Sequence, residues 1–178
     1  MTTDGNQPSE PLKRPYIWGR FSGFVFAIAA ICLILDQVTK VWIVHGADVA
    51  TNGPIKLLPI LDLILIWNRG ISYGLFQQDS DFGRWLLALF TIAATIALWI
   101  WSTRVPSKLP ALALALIIGG AIGNGIDRVV YGAVVDFVYF HVGSFSWYVF
   151  NLADVWIVAG MAGLLYDSFT NGPNSAAN

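Results

Sequence analysis

Long apolar runs dominate the chain, and each is interrupted or bounded by a few polar residues. A membrane helix needs roughly 20 mostly apolar residues. Four runs approach that length, at about 21–44, 83–101, 109–126 and 148–165. Between the first two, the stretch IKLLPILDLILIW is rich in Ile and Leu and ends at the turn signal Asn68-Arg69-Gly70. It predicts a short sheet lying on the membrane surface, within an element of about 45–82. The connection between the last two runs, about 127–147, holds GAVVDFVYFHVG, another short apolar segment with Asp136 in its middle. The expected fold is therefore mostly α. Four transmembrane helices and a small β-sheet element between helices 1 and 2 form one membrane-embedded domain over about 21–166, with polar tails at 1–20 and 167–178.

Composition agrees with the pattern. Hydrophobic residues make up 56% of the chain and charged residues 12%, about half the usual share for a soluble domain. The 8 Trp and 11 Phe suit a protein with two membrane interfaces to anchor. A net charge of -1 gives no reason to propose a nucleic-acid partner. The single cysteine, Cys32, can build neither a disulfide framework nor a Cys-based metal site and reads as a small buried hydrophobe. Lys13, Arg14 and Arg20 precede the first run, and Arg104 and Lys108 lie between the second and third. The positive-inside rule puts these, and both termini, in the cytoplasm. Lys40, Lys56, Arg69, Arg84 and Arg128 would then lie outside, so the count alone is not decisive. The first 20 residues, with Pro8, Pro11 and Pro15, read as a tail; the apolar stretch ending at Leu35 is followed by Asp36 and Lys40 where a cleavable signal peptide would have small residues.

An ionisable side chain inside a span costs at least about 2.5–3.5 kcal/mol, so it usually has a partner or a function. Asp36 and Lys40, in DQVTK, are four apart and share a helix face; an interfacial ion pair that ends the helix is one reading of them. Asn68 and Gly70 belong to NRGISYG, which can be a plain turn. Within it Gly70-x-Ser72-x-Gly74 mimics a nucleophile elbow, but that motif needs a large soluble α/β domain for which this chain has no room. In GGAIGNGIDR, Gly119 and Gly123 allow close helix approach, and Asn124, Asp127 and Arg128 share one face. Asp136 sits unpaired in an apolar segment. Asp154 follows Asn151 by three positions; in a span beginning near Tyr148 it would lie about 9 Å along the helix. Asp48, Asp62, Asp79, Asp81 and Asp167 read as solvated loop or tail residues.

Two carboxylates brought close together cannot both ionise easily, so the pair can share a proton, hold a water, deprotonate it and polarise a peptide carbonyl. Such chemistry needs no metal, cofactor or nucleophilic side chain. Zinc chemistry is poorly supplied, with no H-E-x-x-H and only His45 and His141. A small transporter or proton-conducting subunit is a competing reading of intramembrane aspartates. However, the inner halves of the spans, such as FVFAIAAICLIL and ALALALII, are apolar, which favours a one-sided site. Spacing alone leaves open which two aspartates meet.

The ordered set DQVTK, NRGISYG, GGAIGNGIDR, VVDF and FNLADVW, from about Leu33 to Leu164, resembles the lipoprotein signal peptidases (signal peptidase II). The resemblance implies that Asp136 and Asp154 form a catalytic aspartyl dyad. It implies that Asp36, Lys40, Asn68, Gly70, Asn124, Asp127, Arg128 and Asn151 shape the site and hold the substrate. It also implies a periplasmic β-cradle between the first two spans and a location in the bacterial cytoplasmic membrane, with the site near the periplasmic face. The expected partner is a prolipoprotein cut just before its diacylglyceryl-modified cysteine, with membrane lipid around it and a monomer as the working unit. Ile71-Ser72-Tyr73 departs from the family, where Ala-Ala-Phe is common.

Overall fold

The structure, a computed structural model, describes residues 17–70 and 81–171; the Gly70-x-Ser72-x-Gly74 pattern extends beyond them and the Ile71-Ser72-Tyr73 departure lies outside them. Helix α1 (Ser22–Val41) continues through a π-helical turn at Trp42–Gly46, and the short α2 (Val49–Asn52) follows. Strands β1 (Ile55–Leu58) and β2 (Leu61–Asn68) come next, then the long helices α3 (Asp81–Ser102) and α4 (Lys108–Val130). Strands β3 (Val134–Val142) and β4 (Phe145–Ser146) lead into α5 (Leu152–Asn171). Four helices, Ser22–Gly46, Phe82–Ser102, Lys108–Val130 and Leu152–Asn171, are long and apolar enough to cross a membrane. Helices pair their backbone polar groups internally, as hydrocarbon requires. The protein is a mostly helical, multi-pass membrane protein with a small antiparallel sheet.

Helix α4 is the centre of the bundle. It packs against α1, α3 and α5, and 56% of its apolar window is buried, against 28% in the first span and 11% in each of the others. Small residues allow this. A Cβ on Gly119 would lie 2.8 Å from the Ala29 carbonyl oxygen of α1, and one on Gly120 would lie 2.5 Å from that of Ala153 on α5. The two adjacent glycines thus admit a backbone on either side. Cys32 is buried in this seam, and Val25, Leu114, Ala115 and Ile118 fill the space below it. Residues such as Phe26, Ile34, Phe90 and Leu165 point outward, as expected of surfaces facing lipid.

The sheet draws on both connections. Its order is β1-β2-β3-β4, all antiparallel. A two-stranded hairpin is marginal alone and leaves an open edge; β3, contributed from beyond α4, covers the edge of β2. Ile43, Val49, Leu63, Val135 and Phe137 form the core between the sheet and the end of α1. The register sets Asp136 opposite Ile66 and Val134 opposite Asn68.

Three sequence expectations shift. Helix α4 runs to Val130, so Asp127 and Arg128 are helical rather than part of a loop. Helix α5 starts at Leu152, later than expected, because Phe150 is still bridged to Val138 of β3. Asp154 is consequently in the first turn, not about 9 Å into the span. Asp62 is not simply solvated: it meets His141 across the β2–β3 pair at 3.2 Å, and Tyr139 stacks on that imidazole with ring centroids 5.1 Å apart.

Candidate active site

All the polar residues singled out from the sequence fall in one connected network at the sheet end of the bundle. Its base is Lys40. The ammonium has three protons, and each finds an acceptor: Asp36 Oδ2 at 2.8 Å, Asp127 Oδ2 at 2.7 Å and Asn124 Oδ1 at 2.9 Å. Lys40 is 1% exposed and both carboxylates are 0% exposed. This is a buried charge cluster rather than an interfacial pair that ends a helix.

Each of these two carboxylates also grips a backbone. Asp36 Oδ1 accepts the N–H of Ala153 at 2.9 Å, and Asp127 Oδ2 accepts that of Val135 at 3.1 Å. Those residues immediately precede Asp154 and Asp136. One ammonium therefore ties together the two points from which the upper pair of aspartates hangs. Gly123 makes the arrangement possible, since a Cβ there would run into the Asp36 carboxylate.

The second tier is made of amides. Asn124 Nδ2 donates to Asp154 Oδ1 at 3.1 Å. Asn151 Nδ2 donates to Asn124 Oδ1 at 3.0 Å and to Asp136 Oδ1 at 2.7 Å. Asn68 Nδ2 donates to Asp136 Oδ2 at 2.9 Å. Asn151 also caps α5. Its Oδ1 accepts the Asp154 N–H at 3.0 Å while Asp154 Oδ2 accepts the Asn151 N–H at 3.2 Å, a reciprocal capping box. Asp154 is thus an acidic group in a first helical turn, where the helix dipole favours negative charge.

The turn after β2 closes the site. Gly70 N–H donates to Asn68 Oδ1 at 3.0 Å, and Gly70 O accepts from Arg128 at 3.2 Å; the same guanidinium donates to Asn124 O at 3.0 Å. Arg128 therefore joins the β2 turn to α4.

Asp136 and Asp154 both line a cavity of about 270 Å³, with Asn68, Asn124 and Arg128 at its polar end. Phe90, Ala94, Ala121, Ile157, Val158 and Met161 continue it as an apolar floor. Asp154, Ile157, Val158 and Met161 share one face of α5, so this floor descends about 10 Å along the helix. Asp136 is 3% exposed. Burial pushes its carboxyl up to about 7. The Asn68 hydrogen bond opposes the rise, the charge of Asp154 adds to it, and Asn151 and the Lys40 ammonium pull against it. A carboxyl poised near neutrality beside a second carboxylate can give and take a proton in one cavity.

Sequence reasoning missed Gln37, whose amide donates to Asp127 Oδ1 at 3.0 Å and to Gly123 O at 3.2 Å. It is polar within an apolar span, so the cost argument applied to its neighbours would have found it. Tyr148 and Phe90 in the cavity wall carried no such signal, because aromatic residues are common at membrane interfaces.

Comparison with known proteins agrees with this architecture. A family model described as signal peptidase (SPase) II matches residues 28–170. The chain is 51% identical over 154 residues to a protein named lipoprotein signal peptidase from Methylorubrum extorquens (strain PA1), covering 86% of this chain and 89% of that one. A protein of the same name from Beijerinckia indica subsp. indica is 54% identical over 143 residues, covering 80% and 86% of the two chains. A solved bacterial membrane enzyme superposes with a TM-score of 0.74 at 27% identity, covering 88% of this chain and 94% of that one. The chain belongs to the signal peptidase II family.

Proposed function

We propose that this protein is an aspartyl endopeptidase that removes the signal peptide from diacylglyceryl-modified prolipoproteins, cutting just before the lipid-bearing cysteine. The observation that carries the reading is the amide-bridged pair Asp136 and Asp154. The two come from different elements, meet at one cavity, and have no cation bonded to either carboxylate among the described contacts. Burial favours the protonated form of Asp136, and in this reading Asp136 carries the shared proton while Asp154 acts as the base. Asp154 takes a proton from water as the oxygen attacks the scissile carbonyl, while Asp136 donates a hydrogen bond to the carbonyl oxygen. The tetrahedral adduct collapses with cleavage of the C–N bond. The proton held by Asp154 passes to the leaving amine, and the signal peptide departs with a new carboxyl group, which loses the second proton of the water to solvent. Asn68, Asn124, Asn151 and Arg128 hold the geometry, and preorganisation of this kind supplies much of the rate.

The apolar floor between α3 and α5 suits a substrate whose lipid remains in the bilayer. Arg20, Arg104 and Lys108 gather at the end of the bundle opposite the sheet, which supports cytoplasmic termini and a site at the periplasmic face of the bacterial cytoplasmic membrane. One chain supplies every group of the site, in keeping with a monomer as the working unit. A conduit would need polar groups through the bilayer. Among the described residues, the polar side chains buried away from the site are Ser22 and Ser102, at the far end, with the Thr95 hydroxyl and the Trp156 indole N–H buried between, and none of these four is charged.

The test is cleavage of a lipid-modified prolipoprotein by purified protein in detergent, with wild type beside Asp136→Asn and Asp154→Asn. Both variants should fold, judged by thermal melting, and lose up to about 10⁴-fold in turnover. Full activity in either variant, or an inert wild type on every lipidated substrate, overturns the reading.

A further inference from the structure

Gln37 belongs to the polar network of the site, yet general acid–base chemistry at Asp136 and Asp154 gives it no direct task. It is half-buried on α1, beside Ile34 and Val38, which are exposed and point outward. An amide at the edge of a lipid-facing surface is costly unless its donors are used. Here they turn inward. Gln37 Nε2 lies 3.0 Å from Asp127 Oδ1, 3.2 Å from the Gly123 carbonyl oxygen and 3.3 Å from Asp36 Oδ2. All three groups accept, so the nitrogen end of the amide must face them. It has two protons. The two shorter contacts use them, and Asp36 Oδ2 already holds Lys40 at 2.8 Å.

The bond to Asp127 is the one that reaches the chemistry. Lys40 Nζ and the Val135 N–H both bond to Oδ2 of that carboxylate, at 2.7 and 3.1 Å. Two bonds on one oxygen fix that atom but leave the plane of the carboxylate able to turn about it. Gln37 holds the other oxygen, and the Gly123 carbonyl holds Gln37 in turn. The direction in which Asp127 offers its lone pair to the Val135 N–H is therefore set from α1. Val135 is fully buried and immediately precedes Asp136 in β3, so a turn of Asp127 shifts the backbone from which Asp136 hangs. Neither Gln37 nor Asp127 is among the described residues that line the aspartate cavity.

We infer that Gln37 is a positioning residue for the peptidase reaction, which through Asp127 and the Val135 N–H fixes where the Asp136 carboxyl stands in the cavity. The inference rests on the proposed function. The task of Gln37 differs from that of Lys40: the ammonium compensates charge, whereas the neutral amide supplies direction alone.

The experiment runs wild type, Asp136→Asn, Gln37→Leu and Gln37→Glu on a lipid-modified prolipoprotein in detergent, and reads amide hydrogen exchange around Val135 on the same proteins. Gln37→Leu should lower kcat about 10- to 100-fold with KM within about twofold, since a misplacement of about 1 Å costs on that scale. Exchange around Val135 should quicken about tenfold. Gln37→Glu keeps the length of the side chain. Protonated, it donates from its O–H; ionised, it sets a third carboxylate against Asp36 and Asp127. Its activity relative to wild type should therefore fall about tenfold between pH 5.5 and pH 8, which a role in packing alone would not produce. Wild-type kcat in Gln37→Leu, a rise in KM alone, or unchanged exchange overturns the inference while an active wild type and an inert Asp136→Asn keep the peptidase reading. An inert wild type, or an active Asp136→Asn, overturns both. If Gln37→Leu fails to fold, judged by thermal melting, Gln37→Glu decides alone: a ratio to wild type that does not change with pH overturns the role.

Discussion

The site contains two pairs of aspartates, and they differ in what stands between them. Asp36 and Asp127 share an ammonium, Lys40, bonded to both within 2.8 Å. Between Asp136 and Asp154 stand the amides of Asn124 and Asn151, with the Arg128 guanidinium at the same cavity but bonded to neither among the described contacts. An ammonium between two carboxylates compensates most of their charge, so the lower pair can spend its remaining oxygens on backbone N–H groups and serve as scaffold. Amides satisfy lone pairs without supplying a full charge. With no cation bonded to either carboxylate among the described contacts, the upper pair can share a proton, which is what general acid–base chemistry requires. Residue type is the same in both pairs; the partner decides the role.

If that contrast holds, the two pairs should fail differently. Neutralising the upper pair, as above, should abolish turnover and leave the fold. Lys40→Met should do the reverse first: it strands two buried carboxylates and should cost about 3–5 kcal/mol of stability, read as a large fall in melting temperature in detergent. A melting temperature no lower than that of Asp154→Asn would break the comparison.

Gly123→Ala is a smaller perturbation of the same scaffold. The added methyl meets an Asp36 carboxylate that Lys40 and Ala153 N–H hold in place, so overpacking should cost about 1–3 kcal/mol. Turnover should fall with it, because Asp36 anchors the start of α5. Gly125→Ala is the control, since its methyl would meet only the Thr91 side chain at 3.1 Å, and should cost less by the same melting assay.

The mildest probe is pH. With Asp136 protonated up to about 7, the hydrogen-bond donor is present below that value and lost above it. Turnover should fall about tenfold between pH 6 and pH 8. The same proton is linked to folding. The native carboxyl holds it up to about 7, the unfolded one only to about 4, so melting temperature should decline as pH rises through that window. Asp136→Asn should flatten this decline; an unchanged slope would place the proton elsewhere.

The spans were legible because a bilayer demands long apolar helices, and no interaction between distant residues is needed to see them. The polar residues were legible for the converse reason: Asp36, Lys40, Asn124, Asp136 and Asp154 are too expensive in an apolar chain to be there without partners. Even the reciprocal cap of α5 is written locally, as Asn151 three positions before Asp154. Tertiary structure decided the pairing. Lys40 selects Asp127, 87 residues away, and Asp136 receives Asn68 only because β3 joins the open edge of β2. Apolar periodicity cannot specify these contacts, since it fixes which face a residue occupies but not which face it meets. The division into a cation-bound scaffold pair and an amide-bound proton-sharing pair arises from those long-range meetings. So does the start of α5 at Leu152, where the bridge from Phe150 to Val138 holds the preceding chain extended and brings Asp154 to the end of the helix where the cavity lies.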